Sequence, residues 1–77
     1  MTQDELLTYQ PTPQEMGRAK IAYEQACIEF GRTDALRAYS PKHIDIDWDG
    51  ALTAMQAARS QLSDLDFCSR VNGYRRA

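Results

Sequence analysis

The 77-residue chain holds two cysteines, three prolines, four glycines, one tryptophan and one histidine. Each scarcity closes something off. Cys27 and Cys68 form no Cys-x-x-Cys pair, and His43 has no second imidazole beside it, so no zinc set is expected. With no secretory leader at the N-terminus, the two cysteines are expected to be reduced core residues of a cytoplasmic protein. No apolar run approaches the roughly 20 residues of a membrane span, so no membrane role is expected. An excess of charge is also missing. Nine basic residues stand against eleven acidic ones, for a net charge of −2. General electrostatic attraction to nucleic acid is therefore disfavoured. No phosphate loop, nucleophile motif or paired acid–base site occurs. The expectation is a non-enzyme without a cofactor or a small-molecule substrate.

What is present is helical patterning. The length suits a single small domain over 1–77, near the lower limit for a self-sufficient core. The hydrophobic fraction of 43% argues against wholesale disorder. Thr2 and Glu5 form a capping-box pair, which predicts a short helix at about 3–9. Thr12, Pro13 and Glu15 repeat that signal before a long helix at about 13–31, with Gly31 as its expected stop. Along it Met16, Ala19, Tyr23, Ala26, Cys27 and Phe30 recur at three- and four-residue steps and form one apolar stripe. Thr33 then caps an expected short helix at about 33–39, with Leu36 and Tyr39 facing inward, stopped before Pro41. A second long helix is expected at about 49–71, with Trp48, Leu52, Met55, Ala58, Leu62 and Leu65 at helical spacing. The pattern drifts after Leu65, and Ser63 offers a new cap, so a kink is expected near 63. Asn72 and Gly73 end this helix, and a basic tail fills 72–77.

These elements predict an all-α fold: an antiparallel two-helix hairpin with short flanking helices. The stripes are rich in alanine and poor in large apolar volume, which predicts extra burial in a homodimer or against a larger protein partner. A specific surface is available for it. Ile21 and Ile28 lie seven residues apart and roughly 130° around the helix from the main stripe. A helix with one neighbour needs one stripe. Either the short N-terminal helix or the middle connection covers this second one, or a partner does, with Glu24 between the two isoleucines.

The connection at 41–48 reads Pro-Lys-His-Ile-Asp-Ile-Asp-Trp. Extended, it puts Ile44, Ile46 and Trp48 on one face and His43, Asp45 and Asp47 on the other, with Asp49 following. The acids Asp45, Asp47 and Asp49 are expected to cap the next helix, favour its positive end and offer an acidic row to a basic partner. The stretch from Asp45 to Gln56 resembles a calcium loop of the EF-hand type, with Asp45, Asp47 and Asp49 as ligands and Gly50 at the tight turn. It departs at Gln56, where the bidentate Glu belongs, and at Pro41, which disfavours the incoming helix. Calcium binding is thus a minor alternative. A second alternative is a nucleic-acid-associated regulator using Arg70, Tyr74, Arg75 and Arg76 on phosphates.

The expected function is protein binding, as an adaptor or an inhibitor of a larger partner. Tiny helical proteins of this size are common among phage-encoded proteins acting on host machinery, an analogy of size and class only.

Overall fold

The computed structural model describes residues 1–39 and 47–76. It is all-α, and the described residues contain three helices: α1 (Gln3–Thr8), α2 (Pro13–Tyr39) and α3 (Trp48–Asn72). The molecule is elongated, with extents of 50 × 22 × 14 Å.

Each helix starts where side-chain chemistry satisfies its free N–H groups. In α1 the Glu5 N–H donates to the Thr2 hydroxyl oxygen at 3.3 Å, and that hydroxyl donates to the Glu5 carboxylate at 3.1 Å. In α2 the capping box is reciprocal. The Glu15 N–H donates to Thr12 Oγ1 at 3.1 Å, and the Thr12 N–H donates to Glu15 Oε1 at 3.4 Å. In α3 Asp47 is the N-cap, accepting from the Gly50 N–H at 2.9 Å.

Gly50 therefore acts as a helical residue of the first turn rather than as a tight turn of a metal loop. Among the described residues only Gly73 has a positive φ. A Cβ at position 50 would lie 2.6 Å from Asp47 Cγ and 2.7 Å from Oδ1. Alanine in a helix normally gains about 1 kcal/mol over glycine. Here it displaces the cap, which costs about as much. Gly50→Ala is expected to leave stability unchanged or reduced in urea denaturation. Gly31→Ala, where a Cβ meets nothing within 4 Å, is expected to stabilise by about 0.5–1 kcal/mol.

Two expected breaks are absent. α2 does not stop at Gly31; it runs on to Tyr39. Thr33 is not a cap but a helix-interior residue, its hydroxyl donating to the Glu29 carbonyl at 2.7 Å. With the 100° step kept through Gly31, Leu36 and Tyr39 turn outward rather than inward, at 42% and 90% exposure. Positions 30, 34 and 37 turn toward Trp48 instead. The Phe30 and Trp48 rings lie 5.6 Å apart, Trp48 Nε1 donates to Asp34 at 3.0 Å, and the Arg37 guanidinium lies 4.6 Å over the indole. These contacts hold the last turns of α2. Likewise α3 passes Ser63 as one continuous helix. Phe67 and Val71 are exposed, whereas Cys68 is buried because α1 covers it.

The core is thin. Met16 and Ala19 of α2 meet Leu65 of α3, with Tyr9 and Leu62 packed against them. The expected apolar stripes thus face each other, but their residues beyond this cluster are only half-buried. α1 packs on α3. Its last carbonyls are satisfied by Asn72, whose amide donates to Leu6 and Tyr9 oxygens at 3.0 Å each. Gly73, with φ of 80°, ends α3 and donates its N–H to Ser69 at 3.0 Å. No helix among the described residues is long and apolar enough to cross a membrane.

Candidate functional site

The expected partner face lies on α2. Successive residues turn 100°, so Ile21 and Ile28 fall on one line, away from the side carrying Met16, Ala19 and Phe30. Both are open, at 56% and 60% exposure. Glu24 between them is exposed too. The N-terminal helix does not cover them, since its packing partner is α3. Gly17 and Gly31 flank the same line, and a Cβ on either would meet no atom within 4 Å. The face is exposed, and no described residue packs over it.

The acidic row is divided. Asp47 is committed to the α3 cap through Gly50, and Asp49 is exposed in the first turn. His43, Ile44, Asp45 and Ile46 lie outside the described residues, and with them part of the calcium-loop match. Among the described residues no group of three or more His, Cys, Asp or Glu side chains is placed to hold a metal. From Trp48 to Gln56 the chain is helix, so Gln56 sits in mid-helix.

The basic tail makes contacts with the start of the chain. Arg70 pairs with Asp66 at 3.0 Å. The Arg75 N–H donates to the Pro11 carbonyl at 2.9 Å, and its guanidinium lies 5.6 Å over the Tyr9 ring, 4.0 Å from Glu15. Tyr9 completes the cluster, its hydroxyl 2.6 and 2.5 Å from the Glu15 oxygens and 3.4 Å from Arg75. The tail is thereby clasped to the α1–α2 junction over Pro11, one of the most deeply buried residues. All four residues expected to touch phosphates are exposed, with Arg70 in a surface pair with Asp66 and Arg75 in the clasp. Nothing local in the sequence marks this clasp, because it joins Arg75 to residues sixty or more positions earlier.

The hydrogen bond from Tyr9 to Glu15, aided by burial and by the Glu15 charge, holds the phenol above its ordinary value of 10.0, with Arg75 opposing. A raised folded-state value means the protonated phenol stabilises the fold. Its contribution is whole below pH 10 and falls as the pH rises through the folded value. Tyr9→Phe is expected to cost about 1 kcal/mol at neutral pH. The gap between variant and wild type should close in urea melts at strongly alkaline pH. A gap that stays constant across that range would show that the phenol proton is not what the clasp uses.

Cys27 and Cys68 are both free thiols. Burial, then the nearby Asp64 charge, pushes the Cys68 thiol up. A groove of about 310 Å³ between α2 and α3, lined by Lys20, Tyr23, Arg59 and Leu62 among others, also escaped the sequence reading. It arises only where the two helices meet.

No family model matches the chain, and comparison with curated proteins and with solved structures finds no match.

Proposed function

We propose that the protein is a small non-enzymatic interaction module, an adaptor or inhibitor that docks on a larger protein or a second copy through the outer face of α2. The observation that carries this reading is the exposure of Ile21 and Ile28 at helical spacing on the side of α2 away from α3. Two open isoleucines in a chain whose buried core is so small are apolar area that no described residue covers. The thin core supports the same reading, since a 77-residue chain is marginal by itself. Met16 meets Leu65 while Phe30 meets Trp48, and these pairings support treating α2 and α3 as an antiparallel hairpin. Asp49, exposed at the start of α3, is a secondary acidic contact in this proposal.

Ile28→Glu tests the reading directly. The side chain is exposed, so circular dichroism and melting should be unchanged. Light scattering and affinity capture from the native cell should show a lower mass, or the loss of specific partners, relative to wild type. Unchanged mass together with unchanged capture would sink the proposal.

A further inference from the structure

The groove between α2 and α3 combines an apolar floor with two cations that have no acid of their own. It opens on the side of α3 away from α1. Arg59 and Cys68 are nine residues apart, which the 100° step turns into opposite sides of the helix, and the Cys68 thiol meets α1 at the Leu6 carbonyl. The apolar lining is Met16 of α2, Leu62 of α3 and Tyr23. A hydrogen bond with Cys27, then the Cys27 charge and burial, hold the Tyr23 phenol above its ordinary value of 10.0, with the Arg59 charge opposing. With its hydroxyl engaged at Cys27, Tyr23 gives the groove its ring, and the Arg59 guanidinium lies near it.

The cations come from opposite helices, Lys20 from α2 and Arg59 from α3, with the Ser63 hydroxyl also in the lining. Both are exposed. Neither makes an ion pair among the described residues, where the pairs are Arg32 with Glu29, Arg70 with Asp66 and Arg75 with Glu15. Glu24, one turn along α2 from Lys20, is thus not paired with it. The acid in the lining, Asp66, is already held by Arg70 at 3.0 Å. Asp64 sits on the other flank of α3, near Cys68. Around the groove three cations, Lys20, Arg59 and Arg70, therefore stand against two acids, Glu24 and Asp66. The local balance is positive in a chain whose net charge is −2.

Size and charge together define the ligand. The volume of about 310 Å³ lies at the lower end of the roughly 300–1,000 Å³ of small-molecule sites. An excess of one positive charge favours a monoanion over a phosphate dianion. A guanidinium fork matches a carboxylate through two parallel hydrogen bonds. The apolar floor adds a place for a short hydrocarbon or aromatic body.

We propose that this groove binds a small amphipathic carboxylate free in solution, with its anion between Lys20 and Arg59 and its body on Met16, Tyr23 and Leu62. The site is separate from the Ile21 and Ile28 face, so it stands or falls independently of the interaction reading.

Phenylacetate titrated into the full chain and followed by NMR chemical shifts tests it. Saturable shifts should cluster at Lys20, Tyr23, Arg59 and Leu62, with a dissociation constant in about the millimolar range expected for about ten non-hydrogen atoms. Phenylacetamide, which keeps the body and lacks the charge, should bind at least about tenfold more weakly. Arg59→Gln and Lys20→Gln alter exposed, unpaired side chains, so circular dichroism should be unchanged while phenylacetate binding weakens about tenfold or more. Asp66→Asn should tighten binding severalfold by removing the acid from the rim. Ile28→Glu should bind as the wild type does. Shifts that stay linear in concentration, or scatter over the surface, would overturn the proposal. So would an equal response to phenylacetamide, or undiminished binding in both glutamine variants. Inorganic phosphate saturating the same residues as tightly as phenylacetate would overturn it too, because the apolar floor would then contribute nothing.

Discussion

Leu65→Ala is expected to lower the free energy of unfolding by about 3 kcal/mol and the melting temperature by roughly 12–24 °C. Leu65 is 2% exposed and packs on Met16 and Ala19, so the deleted methyl groups leave a cavity where the two long helices meet. The cost is the lost transfer energy plus that cavity, which the surrounding backbone fills poorly. A chain of this length is stable by only about 4–11 kcal/mol, so one substitution removes a large part of the total. Leu52→Ala, at a half-buried position of the same helix, is expected to cost about 1 kcal/mol. Urea denaturation of the two variants measures the contrast. Equal losses would mean that the core is spread evenly along α3 rather than concentrated at Leu65.

Trp48→Ala is expected to cost about 2–3 kcal/mol, toward the low end for a large aromatic because the ring is only half-buried. Its effect should also be local. The indole is the common partner of Phe30, Asp34 and Arg37, side chains in the last turns of α2 that lie on both sides of the expected break at Gly31. Removing it leaves those turns with a helix-weakening glycine and little tertiary contact. Amide exchange at 31–39 should accelerate far more than at 13–25, and helical circular dichroism should fall. Trp48→Phe keeps the ring contact and loses the bond to Asp34, so it should lie between the two. If exchange at 31–39 is unmoved in Trp48→Ala, the continuity of α2 owes nothing to the indole.

Local chemistry was legible throughout. The three helix starts, at Thr2, Thr12 and Asp47, and the stop at Gly73 depend on side chains within four residues of the backbone groups they satisfy. The stripe from Met16 to Phe30 and the one from Leu52 to Leu65 were legible for the same reason. So was the exceptional position of Ile21 and Ile28. The errors share a cause. Gly31 and Thr33 carry real helix-ending signals, each worth about 1 kcal/mol, but the contacts of Phe30, Asp34 and Arg37 to Trp48, well beyond one helical turn along the chain, outweigh them in sum. Leu36 and Tyr39 were misplaced only because the break before them was misplaced.

Taken alone, the sequence determined an all-α chain, where its helices begin, which faces are apolar, and that one apolar pair had no use within a single helix packing. Tertiary structure alone decided that α2 runs unbroken to Tyr39. It also decided that Asn72 caps α1 as well as approaching the end of its own helix, that Arg75 is spent on Tyr9 and Pro11 rather than left free, and that α1 lies on α3 and leaves Ile21 and Ile28 bare. The physical reason is range. Capping and periodicity act between neighbours within a turn, whereas these outcomes depend on groups brought together from tens of residues apart, whose energies no local spacing records.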